Sequence, residues 1–540
     1  MGAMSPTLAA DEAWPAALIA AAEAPLTAGT DRYMRAAAHA VAAAALHELG
    51  EHRGGAAGAR VLALAGGGHN GADTLLAAAA LARRGCAVSA ALATDHPLPG
   101  ALHRARAAGV RIADSPREAV GGFLEAGGDL VLDGLTGIGA SGGLRPRAAA
   151  LIAPLLDRTA GSAAGARAGG RPFRVLAVDL PSGTGVDDGT LPGPVLPADR
   201  TVTFTCLKAA LCLPPACRLA GRVEVVDLGL PVPQGPPIVV RPTRSRPALP
   251  SPGPEDHKYT RGVVGLWAGS ESYPGAGLLA ASGAARAGAG MVRLHAPRRV
   301  EDLVLAARPE VVPAPGRCQA AVLGPGTDPA DAPRAVELRT VLSACLGEGA
   351  ALRAGAPAVI DAGALPLLAD LVARGGRCGP QHLLTPHAGE AAAVLSALAG
   401  AGRPDWDRTR VESDPGRAAL RLSELTGATV LLKGSPTLIA SPGRPLCSVP
   451  AGPGWAGTAG SGDVLAGILG ALLAGAAVAW EEGDRAPGAH EVVPVAAAAV
   501  RLHSRAGRLA SAQGGLSAPI VAMDIADAVP RAWAALLAGS

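Results

Sequence analysis

The chain has 540 residues, enough for two hydrophobic cores, and its 49% hydrophobic and 17% charged residues make a globular composition rather than a disordered one. A net charge of +3 without any Lys/Arg run, together with 2% aromatic residues, leaves neither an electrostatic footprint nor a stacking platform for nucleic acid. Eight cysteines, at 86, 206, 212, 217, 318, 345, 378 and 447, lack zinc-ligand spacing and point to reduced thiols in a cytoplasmic protein. The first 24 residues have no basic n-region and carry Asp11 and Glu12 inside their apolar stretch, so they do not read as a secretory leader.

In chain order, buried strands are expected at 61–67, 86–93, 129–135, 174–181 and 199–206, with Ala/Leu-rich helical stretches between them. The first strand runs into GGGHNGADTLL, a Gly-rich turn that opens a helix. Glycines there allow close approach of a pyrophosphate, and the helix N-terminus supplies N–H donors. A tight turn holding no ligand is an equal reading, because the spacing is not GxGxxG. Asn70 and Asp73 are the side chains that would face whatever the turn holds. Two later strand ends carry acids: Asp133 in LDGLTGIG and Asp179 in VLAVDLPSG. Desolvation at such a place raises a carboxyl pKa toward neutrality, whereas the plainer role is to cap the next turn. Lys208, after the strand TVTFTC, is placed to pair with Asp179 in proton transfer. The low-complexity stretch 159–170 reads as a surface loop.

Prolines crowd the stretch from 231 to 257, deny donors to helix or sheet, and mark a semi-rigid linker. The chain thus divides into 1–231, a linker 232–256 and 257–540. In the second part, strands are expected at 262–270, 290–297, 320–326, 357–363, 382–389 and 428–434. Short apolar runs separated by helices predict parallel sheets of βαβ units, hence two three-layer α/β/α domains. Ligands of open α/β sheets sit at the carboxyl ends of the strands.

WAGTAGSGDVLAGILGALLAG, 455–475, contains the longest apolar run. Val464 to Trp480 is too short and Gly-rich for a membrane span, and it is bounded by Asp463 and by Glu481-Glu482, so a buried core helix is expected. Ahead of it, Thr458 to Gly462 offers consecutive N–H groups at a helix start, an anion hole. The helix dipole should keep the Asp463 carboxylate ionised, poised to take a proton from a hydroxyl attacking a phosphoryl group. His387, in TPHAGE, is either a ligand or a satisfied strand-end histidine, and Glu390 either places a magnesium ion or pairs with an arginine.

Taken together and in order, the motifs of roughly 25–231 resemble the NAD(P)H-hydrate epimerase domain, typified by a GxGNNGGDG loop, a VDALFGTG loop and a VDxPSG strand end. That resemblance implies a Rossmann-like fold and a potassium site built from Asn70, Asp133 and Ser182. It implies substrate contacts at His69, Asn70, Gly71, Ala72 and Asp73 and along Gly137, Gly139 and Arg145. Asp179, with Lys208, would assist water loss and re-addition at C6 of the nicotinamide ring. His69, Ala72 and Thr74 depart from the loop pattern, and LDGLTG lacks its Phe.

From 255 to 537 the segments HKYTRGVVGLWAGSESYPGAGLLAASGAARAGAGMV, RPEVV, VLGPG, VIDAGAL, LLTPHAGE, LLKGSPTLIA and GTAGSGDVLAG resemble, in order, the ADP/ATP-dependent NAD(P)H-hydrate dehydratase domain of the ribokinase-like superfamily. By this resemblance Ala276, Gly326, His387 and Asp463 contact the hydrated dinucleotide, with Asp463 as base. Lys433, Gly434, Ser435, Thr437 and Gly462 bind ADP or ATP with Mg²⁺. The implied protein repairs NADHX and NADPHX, binds neither nucleic acid nor membrane, and is a homo-oligomer. Two rivals remain: a small-molecule kinase for a vitamin precursor or sugar with an accessory Rossmann-like domain, and a non-catalytic protein with idle pockets.

Overall fold

The structure is a computed structural model that describes residues 11–163, 171–243, 245–347, 355–400, 406–483 and 487–539, and the side chains of 159–163 lie outside that description. Most of the stretch read as a loop at 159–170 therefore lies outside the described residues. The chain divides into two compact units, 1–240 and 241–540.

In the first unit a two-residue strand β1 (Glu12–Ala13) is followed by seven strands that form one parallel sheet: β2 (Arg60–Ala65), β3 (Ala87–Leu92), β4 (Arg111–Ile112), β5 (Leu130–Gly134), β6 (Arg174–Val178), β7 (Arg200–Phe204) and β8 (Arg222–Val226). Their order is β4-β3-β2-β5-β6-β7-β8, the doubly wound Rossmann arrangement, with its reversal between β2 and β5. Alternation along the strands feeds two cores. Val61, Ala63, Leu130, Leu132, Leu176 and Val178 meet the helices Arg32–Arg53 and His69–Arg83. Leu62, Leu64, Val131, Val175 and Ala177 meet Pro116–Glu125 and Pro146–Ala163 on the opposite face. Both faces are covered, which is why these strands read as continuous apolar runs. Within the stretch read as a linker, Val239–Val240 forms β9, antiparallel to β1. Its β-branched pair suits a strand where the flanking prolines do not.

The second unit carries β10 (Val263–Trp267), β11 (Met291–Leu294), β12 (Ala320–Leu323), β13 (Ala358–Ile360), β14 (His382–Leu384), β15 (Thr429–Leu432), β16 (Thr437–Ala440) and β17 (Leu446–Val449). Their order is β11-β10-β12-β13-β14-β15-β16-β17. The pairs from β11 to β15 are parallel, as expected, but β16 and β17 join antiparallel through tight turns, so the sheet is mixed. The Gly-Ser-Pro of the β15–β16 connection and the Pro-Gly of β16–β17 are hairpin punctuation between apolar runs.

Val264, Leu266, Val322, Val359 and Leu431 face one core, formed with the helices Pro274–Arg286, Ser461–Glu482, Ala489–Ser511 and Ala522–Leu537. Successive helices Ala332–Cys345, Ala364–Ala373, Ala388–Ala399 and Pro415–Thr426 complete the three layers. The helix Ser461–Glu482 is long and apolar enough to cross a membrane, but 67% of its most apolar stretch is buried inside the protein. It is the central core helix. It crosses Pro274–Arg286 backbone to backbone: a Cβ on Gly467 would lie 2.0 Å from the Ala280 carbonyl oxygen, and one on Gly283 would lie 2.3 Å from that of Val464.

Candidate functional site

Two groups of polar side chains collect at the carboxyl ends of the two sheets. In the first unit, a cavity of about 810 Å³ opens at the β2/β5 reversal. Its walls include Gly66 to Gly71, Asp73, Gly137, Gly139, Arg145, Asp179 and Lys208, and the helix Ala16–Thr27 adds Glu23. The turn after β2 is tight: a Cβ on Gly71 would lie 2.1 Å from the Gly66 carbonyl oxygen, so only glycine lets the backbone fold back there. Ala72 is not among the residues lining the cavity; it is 1% exposed and packs into the core. Thr74, where the family pattern has Gly, donates its hydroxyl to the Asn70 carbonyl at 2.8 Å and fills the space over Gly134.

Asp179 follows β6 in a left-handed conformation, φ 70°, and its N–H is held by the Val202 carbonyl at 2.7 Å. Such a conformation is uncommon outside glycine and persists only where surroundings fix it. Here the Lys208 ammonium lies 2.8 Å from Asp179 Oδ1, and Thr203 Oγ1 donates to the same oxygen at 3.0 Å. Lys208, 2% exposed, also donates to Thr203 Oγ1 and to the Phe204 carbonyl. The acid and the lysine expected to work together are therefore an ion pair in the cavity wall.

From the cavity wall inward, Asn70 and Ser182 converge on Thr136, and Asp133 holds Ser182. The Asn70 amide donates to the carbonyls of Thr136 (2.6 Å) and Val178 (2.9 Å), and Ser182 Oγ accepts from the Thr136 N–H at 3.0 Å. Asp133 Oδ2 accepts from the Ser182 N–H at 2.9 Å. Asp133 is 1% exposed, burial raises its pKa, and among the described residues no basic side chain pairs with it. An oxygen-rich set around a buried carboxylate without a basic partner suits a hard monovalent cation.

In the second unit the strand order also reverses, between β10 and β12. Ala276 and Gly326 meet there, since a Cβ on Gly326, φ 64°, would lie 2.2 Å from that of Ala276. At the ends of β13 and β15, Lys433 Nζ donates to Asp361 Oδ1 at 2.8 Å and lies 3.6 Å from Glu390. Thr385 Oγ1 donates to the same Asp361 oxygen at 2.8 Å. Burial would lower the Lys433 pKa, but the carboxylates of Asp361, Glu390 and Asp463 outweigh it and the lysine is raised. Glu390 thus pairs with a lysine rather than an arginine, and it also accepts the His387 N–H at 2.8 Å.

His387 caps the helix Ala388–Ala399: its Nδ1 accepts from the Glu390 N–H at 3.1 Å, and its ring remains 60% exposed. Gly434 and Ser435 are exposed on the β15–β16 turn, whereas Thr437 turns its hydroxyl back to the Gly434 carbonyl. Gly462 lies beside Lys433, where an added Cβ would sit 3.7 Å from Nζ.

Asp463 stands in the first turn of Ser461–Glu482, as expected. The expectation that the helix dipole keeps it ionised is opposed by its surroundings. Burial, with the charges of Asp361 and Glu390, outweighs Lys433 and pushes its carboxyl up to about 7. Desolvation here exceeds what a helix terminus offers a charge.

Asp361, Thr385, Thr203, Glu23 and His503 were missed by the sequence reading. Asp361 ends the apolar run VIDAG and carried the same signal as Asp179. His503 packs against the turn before Asp463, 3.1 Å from both Ser461 Oγ and its carbonyl oxygen, and burial pulls its pKa down to about 4. It stands 42 residues after Ser461, on the helix Ala489–Ser511, and no local pattern marks it. Of the eight cysteines, Cys86, Cys206, Cys212, Cys318, Cys345 and Cys447 are buried.

Comparison with known proteins finds a family match in each unit. Residues 264–531 match the family described as NAD(P)H-hydrate dehydratase, and residues 30–210 match the family described as YjeF-related protein N-terminus. The bifunctional NAD(P)H-hydrate repair enzyme Nnr of Mycobacterium tuberculosis is 42% identical over 467 residues, spanning 84% of this chain and 88% of its own length. The NAD(P)H-hydrate epimerase of Clavibacter sepedonicus is 44% identical over 232 residues, 42% of this chain and 94% of that protein. Among solved structures, an ADP/ATP-dependent NAD(P)H-hydrate dehydratase from Bacillus subtilis, co-crystallized with ATP/Mg²⁺, has a TM-score of 0.42 at 25% identity, covering 53% of this chain and 94% of that one.

Proposed function

The chain belongs to the bifunctional NAD(P)H-hydrate repair enzymes, with an epimerase half and a dehydratase half, and from that premise we propose how its own residues perform the two reactions. The first half, residues 1–231, interconverts the R and S epimers of NADHX and NADPHX at C6. The second, 257–540, dehydrates the S epimer with ADP or ATP through a phosphorylated intermediate. Residues 232–256 join them. The observation that carries the reading is Asp463: a carboxyl with a pKa of about 7 at the start of a Gly-rich helix, beside a lysine.

A general base is most effective with a pKa near the working pH. Asp463 takes the proton from the 6-hydroxyl as that oxygen attacks the terminal phosphoryl group. Lys433 and the N–H groups of Gly434, Ser435 and Gly462 hold the phosphates, while Thr437 shapes the turn that presents them. Bound with the nucleotide at this site, magnesium would neutralise phosphate charge. The N1 lone pair then expels phosphate from C6, and loss of a proton from C5 forms the C5=C6 double bond and restores NAD(P)H. Ala276 and Gly326 leave the ring room to approach, and His387 borders the site.

In the epimerase half, the Asp179–Lys208 pair assists as water leaves C6 and returns. His69, Asn70, Gly71 and Asp73 on one side, and Gly137, Gly139 and Arg145 on the other, hold the dinucleotide. The Ala72 side chain supports the loop from the core. Asn70, Asp133 and Ser182 would hold potassium. Bound there, the cation supplies fixed positive charge close to an anionic substrate. We place the protein in the cytoplasm, as a homo-oligomer acting on small molecules rather than on nucleic acid or at a membrane.

The test is recovery of reduced-nicotinamide absorbance from a mixed-epimer preparation of NADHX with Mg²⁺ and either ADP or ATP. Wild type recovers all of it and Asp463→Asn none. Asp179→Asn recovers only the S epimer on the enzymatic timescale. A wild type that forms a stable phosphorylated product without NADH would overturn the dehydratase mechanism.

A further inference from the structure

The epimerase cavity holds more carboxyl groups than its ion pair uses. Asp179 is committed to Lys208 and Thr203. Glu23, from the helix Ala16–Thr27, accepts from Thr205 Oγ1 at 2.8 Å. Asp73, on the helix His69–Arg83, lines the same cavity, is 8% exposed, and its Oδ1 has no hydrogen-bond partner among the described residues. A carboxyl oxygen enclosed without a donor is costly unless something that enters the cavity meets it.

We propose that Asp73 is a second catalytic residue of the epimerase reaction, the acid that protonates the departing 6-hydroxyl, working opposite Asp179 as the base. The proposal rests on the epimerase reading given above. The chemistry calls for such a pair. The hydroxyl sits on C6, bonded to ring nitrogen N1. As the C6–O bond breaks, the N1 lone pair forms an N1=C6 double bond, and Asp73 gives its proton to the oxygen, which leaves as water. A second water adds to C6 from the opposite face, the π pair returns to N1, and the proton released passes to the Asp179 carboxylate. One water leaves and one enters, and one proton has moved from Asp73 to Asp179. The reverse epimerisation begins from that state, so the pair serves both directions without an oxidant or reductant.

The surroundings of the two carboxyls differ, Asp73 being enclosed with an oxygen that lacks a donor among the described residues and Asp179 being ion-paired. Burial first, and then the charges of Asp179 and Glu23, push Asp73 well above the usual carboxylate range, whereas Asp179 faces the Lys208 ammonium. Two carboxyls whose environments differ in this sense are the pattern of an acid–base pair. Glu23 belongs to the arrangement although it lies before the matched segment 30–210, since its charge helps keep a proton on Asp73.

The experiment uses the full chain with R-NADHX and no nucleotide, so that dehydration is silent. It follows the epimer ratio by chromatography and oxygen-18 uptake from labelled water into the 6-hydroxyl. Asp73→Asn should lose about 10²–10⁴-fold in kcat for both readouts, whatever it adds to KM as a lining residue, and Asp73→Glu should recover part of it. Asp73→Ala, which suits a helix and leaves space, should be rescued by formic acid in proportion to its protonated form. An Asp73→Asn enzyme within about threefold of wild type, or one in which KM rises while kcat holds, overturns the proposal, and so does an Asp73→Ala enzyme that no small acid rescues. A wild type that neither epimerises nor exchanges oxygen would instead remove the epimerase reading beneath it.

Discussion

Asp463 and Asp361 show how single carboxylates at strand and helix ends set the chemistry of the second unit. With its carboxyl near 7, a base that must be ionised to act gives a dehydratase rate that rises with pH through about 7. Asp361 raises Asp463, and it also engages the lysine that opposes the shift. Removing its charge in Asp361→Asn lowers the Asp463 pKa, so the acid limb of the kcat profile moves to lower pH; a limb that stays in place would show that Asp463 is not the titrating group. The same burial affects stability. A carboxyl whose folded pKa is raised stabilises the fold below its unfolded value, and that contribution is lost as pH rises through about 7. Asp463→Asn should therefore melt above wild type at about pH 8, with the gap closing as the pH is lowered toward 4, as a calorimetric series would show.

Among the elements, the crossing of Ser461–Glu482 with Pro274–Arg286 decides whether the site is assembled. One helix carries Gly462 and Asp463, the other Ala276, and the crossing has no room for side chains at Gly283 and Gly467. Gly467→Val puts a branched side chain against a backbone carbonyl that cannot swing aside. The expected cost is about 1–3 kcal/mol or more in denaturant unfolding of the second unit, accompanied by dehydratase loss without any change in epimerisation. The apolar run of this helix was plain in the sequence, as were the acidic residues that bound it. Its partner was not, because Gly and Ala abound throughout the chain and nothing local distinguishes a crossing glycine from a loop glycine. Strands β16 and β17 escaped the sequence reading for another reason: four-residue apolar runs joined by tight turns resemble the loops around them.

At the scale of the molecule, two sites at the ends of two sheets should respond separately. Replacing potassium by tetramethylammonium should slow epimerisation and spare dehydration of the S epimer, because the oxygen set around Asp133 belongs to the first unit alone. Equal loss in both assays would place the cation requirement elsewhere. The sequence by itself determined the two-part α/β plan, the parallel strands β2, β3, β5 to β7 and β10 to β15 but not β4 or β8, and the motifs that carry Asp179, Lys208, Lys433 and Asp463. It could do so because buried parallel strands are continuous apolar runs and their carboxyl ends are marked by Gly and Asp. Only the tertiary structure decided how those groups are charged and supported. It sets the Asp361–Lys433 contact across 72 residues of chain, the His503 support of the Asp463 turn, the turning of Ala72 into the core, and the enclosure of Asp73 without a donor. Desolvation and hydrogen bonding depend on what folding brings from distant segments, and no local pattern of residues encodes them.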